Sequence, residues 1–126
     1  MLAVDQLFEG PGGGRDGEFM EREFMADVLV RPGVRVERIC SFGHASPEDF
    51  WYDQEEDEWV VLLRGSARLE VEADGVVETL ELKAGNHLLI PAHCRHRVSW
   101  TEPETETWWL ACFMPAQADE CGRDSE

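Results

Sequence analysis

Basic side chains are scarce in this chain. Its 126 residues include 11 Lys and Arg against 27 Asp and Glu, which leaves a formal net charge of −16 at pH 7. A surface with this charge repels the phosphates of nucleic acid and of anionic lipid. We therefore expect neither nucleic acid nor a membrane surface as a partner.

Long apolar runs are also missing. No stretch approaches the roughly 20 apolar residues that a membrane-spanning helix needs. The start at Met1–Asp5 has neither the basic flank nor the apolar core of a secretion signal. We expect a cytoplasmic protein, and the hydrophobic content of 43% suits one domain with a single core.

Closely spaced cysteine pairs are absent as well. The four cysteines lie at wide and irregular intervals without a C-x-x-C pair: Cys40, Cys94, Cys112 and Cys121. In a cytosolic chain of this size, such spacing favours free thiols over a disulfide framework. It also argues against a zinc site made of cysteines alone.

Convincing helical periodicity is lacking, and strand signals fill the chain instead. Residues 68–73 alternate polar and apolar side chains, and Asp74-Gly75 then supplies the positive φ angles of a tight hairpin turn. Further strands are predicted at 27–30, 34–41, 87–91, 97–100 and 108–114. The acidic run 55–57 is expected in a solvated turn, because three uncompensated carboxylates are costly to bury. Short strands separated by turn signals favour an all-β sandwich or barrel.

Two spaced signatures lie between residues 58 and 100. Glu58 and Gly65 give E-x6-G, and Gly85 begins G-x5-P-x-H-x-x-H, which ends with His93 and His96. These resemble the two halves of the cupin motif, G-x5-H-x-H-x3,4-E-x6-G and G-x5-P-x-G-x2-H-x3-N. The resemblance is to a small single-domain cupin. It implies a double-stranded β-helix, which is a conical jelly-roll barrel of two antiparallel sheets.

The resemblance also divides the chain. Residues 1–33 hold an N-terminal arm, a glycine-rich loop at 10–17 and a first strand, and residues 34–115 hold the cupin barrel. Residues 116–126 are polar and acidic, and we expect this tail to be disordered.

A metal site is the next implication of the resemblance, since cupins hold one divalent metal with two His, a Glu and a third His. A three-residue gap before Glu58 puts Tyr52 and Gln54 at the positions of the His pair. A four-residue gap puts Trp51 and Asp53 there, so both histidines are absent on either alignment. The shared parity of 52, 54 and 58 favours the first alignment, because alternate residues of a strand point to one face.

Glu58 and His96 match the remaining motif positions, and His93 stands where the family has Gly. The implied metal ligands are therefore Gln54, Glu58, His93 and His96. An amide oxygen, a carboxylate and two imidazoles suit a divalent transition metal such as zinc, manganese, iron or nickel. The alternative is a metal-free barrel in which Glu58 and His96 hydrogen-bond each other and Gln54.

Two further side chains complete the candidate site. Tyr52 is a candidate catalytic residue that would handle protons. Arg38 shares parity with the apolar residues Val34 and Val36, so it is expected to face inward and to bind a substrate carboxylate. An ion pair at the barrel rim is the alternative for Arg38.

Two functional classes fit these residues, and both take a small-molecule ligand. One is an enzyme that acts on a small polar organic molecule with a bound metal. The other is a metal-free binding or sensor module without catalysis. The polar residues at the motif positions favour the first class, although a fold by itself does not choose between them.

The strand at 108–114 is apolar on both faces, with Trp108 on one side and Trp109 on the other. One face is expected to line the barrel. The other is expected to be buried in a homodimer, or else beneath the segment 19–30.

Overall fold

The computed structural model describes residues 2–8 and 23–117. The glycine-rich loop at 10–17, residues 19–22 and most of the acidic tail lie outside the described residues. The described part contains eight strands: β1 (Phe24–Arg31), β2 (Val34–Ser41), β3 (Glu56–Arg64), β4 (Ser66–Ala73), β5 (Val76–Lys83), β6 (His87–Ile90), β7 (Arg95–Thr101) and β8 (Thr107–Pro115). It contains no helix with the length and apolar character needed to cross a membrane.

The strands form two sheets in which every pairing is antiparallel. The larger sheet has the order β1-β2-β8-β3-β6, and the smaller has the order β5-β4-β7. The predicted all-β architecture of two antiparallel sheets is confirmed. The hairpin turn at Asp74-Gly75 is also confirmed, since both residues have positive φ, 54° and 80°.

Strand register sorts the larger sheet into rows that cross all five strands. One row faces the smaller sheet and consists of Val30, Arg35, Phe113, Glu58 and Ile90. The adjacent row consists of Leu29, Val36, Cys112, Trp59 and Leu89. Because successive side chains of a strand point to opposite faces, this second row lies on the outer face of the sheet.

The hydrophobic core lies between the two sheets. From β8 it takes Trp109, Ala111 and Phe113, and from the smaller sheet it takes Leu69 and Leu82. The doubly apolar strand therefore does line the barrel with one face, because it occupies the middle of the larger sheet.

The outer face of β8 is covered in part by residues 2–8. Trp108 is fully buried, and Phe8 packs edge-on against its ring with 5.5 Å between centroids. The guanidinium of Arg38 donates to the carbonyl oxygens of Gln6 and Leu7 at 3.1 and 3.0 Å. These contacts hold the N-terminal segment on the outer side of β2 and β8.

Gly65 ends the E-x6-G signature at the bend between β3 and β4. Its φ is 92°, and a Cβ at this position would lie 2.8 Å from both the Glu106 carbonyl oxygen and the Thr107 Cα. Side chains are disfavoured by the positive φ and excluded by the neighbouring backbone. The glycine of the signature is thus a packing requirement of the bend.

One cysteine departs from expectation. Cys94 is disulfide-bonded, whereas Cys40 and Cys112 are free. The prediction of free thiols is therefore wrong for Cys94. Disulfide formation requires Cα atoms about 4.4–6.8 Å apart in space, and sequence spacing does not determine that distance.

Candidate functional site

A cavity of about 220 Å³ lies between the two sheets. Much of its wall is apolar, with Trp109 and Phe113 from β8 and Leu69 from β4. Three of the predicted site residues also line it, together with the catalytic candidate: Gln54, Glu58, His96 and Tyr52. The structure therefore brings together the residues that the first alignment had selected.

Different elements supply these side chains. Glu58 belongs to β3, in the inward row between Phe113 and Ile90. His96 belongs to β7, and Tyr52 is tied to it by two backbone hydrogen bonds of 2.7 and 3.1 Å. The rings of Tyr52 and His96 stack with centroids 5.3 Å apart. The segment before β3 is in this way held alongside β7, at the edge of the smaller sheet.

The polar centre of the cavity is formed by Gln54, Glu58 and His96. Glu58 and His96 are 8% and 6% exposed. The amide nitrogen of Gln54 donates to Glu58 Oε1 at 3.1 Å, and the same oxygen lies 3.5 Å from His96 Nε2. Within the described residues, the Gln54 amide is therefore the one side chain that donates a hydrogen bond to this buried carboxylate.

The tautomer of His96 follows from its second ring nitrogen. Nδ1 lies 2.9 Å from the carbonyl oxygen of Cys94. A carbonyl oxygen only accepts, so Nδ1 carries a proton. In the neutral ring, Nε2 then has a lone pair directed toward Glu58. A ligand that donates hydrogen bonds could therefore bridge Nε2 and the Glu58 carboxylate, since both accept.

Tyr52 keeps its proton in this environment. Burial raises the pKa of the phenol, and the carboxylates of Glu23, Glu58 and Glu37 raise it further. The hydroxyl is thus held in the form that donates a hydrogen bond. It offers the cavity a neutral donor rather than a base.

Arg35 and Glu37 line the cavity from β2. Arg35 Nε lies 3.2 Å from Glu37, and its Nη1 lies 3.3 Å from Glu56. The guanidinium also stacks over the ring of Phe113 at 4.3 Å from the centroid. The charge of Arg35 is therefore matched by two carboxylates of the protein itself.

His93 lies apart from this group. Its side chain is 65% exposed, and Nδ1 is 2.9 Å from Asp53 Oδ1. The residue sits in the turn after β6 with a φ of 64°, and its backbone nitrogen donates to the Gln54 carbonyl. This turn directs the imidazole to the surface, so the structure does not join His93 to the other three predicted ligands.

Arg38 lies on the opposite face of β2 from the cavity. Besides its bonds to Gln6 and Leu7, its guanidinium lies 5.5 Å from the centroid of Phe24. The apolar parity of β2 faces the covered outer surface, whereas Arg35 has the inward parity. Arg38 is therefore not positioned to contact a ligand in the barrel.

The donors in the cavity fit a divalent metal only in part. Within residues 2–8 and 23–117, no group of three or more His, Cys, Asp or Glu is arranged to hold a metal ion. Glu58 and His96 are two suitable donors. Gln54 could present its oxygen only by turning its amide and losing the bond to Glu58. Protein transition-metal sites generally use at least three protein ligands, so the residues present fit a metal only in part.

Sequence reasoning missed three charged residues of the cavity: Glu23, Arg35 and Glu37. The alternation in β2 contained a signal for two of them, since 35, 37 and 39 share a parity. Glu23 precedes β1 and carried no pattern. Its carboxylate reaches the cavity region by accepting a 2.6 Å hydrogen bond from Ser41.

No protein-family model matches this sequence, and a search of curated proteins gives no match. Solved structures do match. A protein from Ralstonia eutropha JMP134, described as a candidate mannose-6-phosphate isomerase, is 45% identical, with a TM-score of 0.69 over 75% of this chain and 86% of that chain.

Two more distant structures share the fold. A cupin superfamily protein from Desulfitobacterium hafniense DCB-2 is 14% identical, with a TM-score of 0.61 over 75% of this chain and 78% of that chain. A mutant oxalate decarboxylase from Bacillus subtilis is 20% identical, with a TM-score of 0.63 over 77% of this chain and 26% of that chain. With both motif halves in place on two antiparallel sheets and a 45% identical relative of similar length, the chain belongs to the cupin superfamily.

Proposed function

We propose that this protein binds a small polar organic molecule in the barrel cavity, with Gln54, Glu58 and His96 as the recognition centre. The observation that carries the proposal is that the buried Glu58 and His96 and the half-buried Gln54 line a cavity with largely apolar walls. Polar groups cost free energy to desolvate unless hydrogen bonds compensate them. A polar ligand would supply compensation that the apolar walls do not.

The carboxylate of Glu58 has capacity for a ligand. An ionised carboxylate offers about four lone-pair positions. Among the described residues, one side-chain hydrogen-bond donor is directed at it, the amide of Gln54. Hydroxyl or N–H donors of a ligand would fill the remaining positions, and the Tyr52 hydroxyl would donate to a ligand oxygen.

Cavity size limits the ligand. A volume of about 220 Å³ corresponds to roughly seven water molecules at about 30 Å³ each. This space suits a molecule of up to about ten non-hydrogen atoms in size. The isomerase description belongs to the Ralstonia relative. A sugar phosphate would need a cation for its phosphate, and Arg35 is already matched by Glu37 and Glu56.

The test is ligand binding in the presence of a chelator. Small polyols, keto acids, carboxylates and amines are screened by thermal shift and calorimetry. Glu58→Gln and His96→Gln are expected to weaken the ligand found by about tenfold or more, as loss of a buried charged hydrogen bond does. Glu78→Gln, at an exposed position of β5, is the control and should bind normally. Unchanged affinity in both cavity variants would refute the proposal.

Metal-assisted chemistry is the second candidate function, with zinc, manganese, iron or nickel. It is favoured by one observation, the Nδ1 bond from His96 to the Cys94 carbonyl, which orients Nε2 as in metal-ligating histidines. A bound metal would supply Lewis-acid or redox chemistry. Glu58 and His96 would hold it, with Gln54 as a weaker third donor. Elemental analysis after chelator-free purification is expected to find metal that both Glu58→Ala and His96→Ala remove.

A further inference from the structure

We propose that the ligand of the barrel cavity is an organic cation, such as a small alkylammonium or arylammonium molecule. The inference rests on the proposed function and names the substrate class of the same site. Three carboxylates on the cavity wall and three aromatic rings beside them carry it: Glu23, Glu37 and Glu58, with Tyr52, Trp109 and Phe113.

The charges of the cavity wall do not balance. Against the three carboxylates stand one guanidinium, that of Arg35, and the imidazole of His96. Arg35 is shared between Glu37 and Glu56, which lowers its influence on the interior. Within residues 2–8 and 23–117, no Lys or Arg pairs with Glu23 or Glu58. The excess of negative charge in a partly enclosed site attracts cations and repels anions.

Tyr52 lies in the field of these carboxylates. Burial is the main cause of its raised pKa, and each of the three carboxylates adds to the effect. Tyr52 and the three carboxylates line the same cavity, so these charges act on its hydroxyl. A ligand beside Tyr52 would occupy the same potential.

Arg35 is an internal example of how this wall binds a cation. Its guanidinium lies over the Phe113 ring at 4.3 Å from the centroid, and its Nε is ion-paired with Glu37. A cation over an aromatic face is attracted by the negative face of the ring, and more strongly where water is excluded. Trp109 also lines the cavity, as does Tyr52, whose ring stacks on His96 on one side.

Space for the rest of such a molecule is also present. A second cavity of about 250 Å³ shares Glu23, Tyr52 and Val98 with the first. The apolar side chains of Pro47 and Phe50 form part of its remaining wall. An ammonium group near Glu23 could therefore leave a hydrocarbon chain in either space.

Matched probes test the charge of the ligand directly. Butylamine, 1-butanol and butyrate share one skeleton, as do benzylamine, benzyl alcohol and benzoate, and all six are titrated by calorimetry with chelator present. The amines are expected to bind about tenfold tighter than the alcohols, and the carboxylates more weakly still. Raising the salt concentration should weaken the binding of the amines and not that of the alcohols or carboxylates.

Variants separate a charge effect from a structural one. Glu23→Gln is expected to weaken amine binding about fivefold or more while leaving alcohol binding unchanged, with Glu78→Gln as the exposed control. Arg35→Gln removes the competing cation, so amines should bind more tightly to this variant than to the unaltered protein. If Arg35 only stabilised the structure, the substitution would instead weaken the binding of every probe.

The outcomes also separate this inference from the proposed function. If alcohols or polyols bind as well as amines and depend on Glu58 and His96, the cation class is wrong and the proposed function stands. Tighter binding of the carboxylates would likewise overturn the cation class. If no amine, alcohol, polyol or acid binds, the proposed function fails and the cation class fails with it.

Discussion

The Cys40 thiol on β2 is buried and lies opposite Trp108. Burial raises its pKa to about 12, and the charges of Glu106 and Glu23 contribute. Because the thiolate is the nucleophile, we expect Cys40 to resist iodoacetamide at pH 8.5 in the folded protein and to react after unfolding in urea. Peptide mass spectrometry measures the labelling. Labelling of Cys40 in the folded protein at the rate of the unfolded chain would contradict the expectation.

The same thiol contributes to the pH dependence of stability. Its folded pKa, about 12, lies above the ordinary value of 9.0, so the folded state holds the proton more tightly. The contribution to the free energy of unfolding is therefore complete below pH 9.0 and is lost as the pH rises through about 12. Tyr52 acts in the same direction, since its pKa is also raised.

Gly65 and Gly75 form a matched pair for a second test. Both have positive φ, but a Cβ at Gly75 would meet no atom within 4 Å. We expect Gly75→Ala to cost about 1 kcal/mol through φ alone. Gly65→Ala should cost at least about 2 kcal/mol more, because it also displaces backbone at Glu106 and Thr107. Urea unfolding measures both, and equal losses would refute the packing argument.

Some residues of the candidate site could be predicted from the sequence and others could not. Glu58 and His96 were found because the motif spacing fixes their places on two strands. Arg38 was predicted to face inward because the apolar parity of β2 was taken as the inward one. The cavity makes the inner face of β2 polar, and residues 2–8 make its outer face buried, so hydrophobicity alone gives the reverse orientation.

At the scale of elements, Asp57 connects three parts of the chain. The acidic run 55–57 was expected in a solvated turn, yet Asp57 is in β3 and buried. Its oxygens accept hydrogen bonds from the backbone nitrogens of Ala92 at 2.8 Å and Gln117 at 3.2 Å. The burial of this carboxylate is compensated by backbone donors, which no side-chain pattern in the sequence reveals.

Removal of that carboxylate should loosen the ends of β6 and β8 together. Asp57→Ala is expected to lower the free energy of unfolding by about 2 kcal/mol, because two backbone donors lose their acceptor. Asp53→Ala is the control. Its pair with His93 is exposed on both sides, so its loss should cost less than about 0.5 kcal/mol. Equal stability of the two variants would show that the Asp57 contacts are dispensable.

At the scale of the whole molecule, the outer face of the larger sheet is left apolar. The outer row from Leu29 to Leu89 crosses all five strands, and these two end residues are 43% and 50% exposed. Residues 2–8 cover the Trp108 end of the face. We expect a second copy of the chain to cover the outer row, since monomers rarely expose a continuous apolar surface.

Light scattering tests this homodimer. The expected mass is twice the 14.4 kDa of one chain at micromolar concentration. Leu89→Glu should shift the protein toward monomer, because it places a charge in the apolar row. Val76→Glu, at an exposed position of the smaller sheet, should not. A monomer mass for the unaltered protein would refute the expectation.

The fold was more predictable than the cavity because strand alternation and turn residues are local signals. Asp74-Gly75 and the motif glycines define the barrel within short windows of sequence. The charge balance of the cavity instead depends on Glu23 and Arg35, which meet Glu58 only through the register of several strands. Such long-range placement has no local signature.

The position of β8 has a consequence for how the protein is made. β8 is the last strand of the described chain, yet it lies between β2 and β3 in the larger sheet. During synthesis, the edges of β2 and β3 that pair with β8 therefore have no partner until residues 107–115 leave the ribosome. Such edges are templates for aggregation. Trp109 and Phe113 arrive with the same strand, so the cavity is complete only once β8 has paired with β2 and β3, and a ligand can stabilise the barrel only from that point.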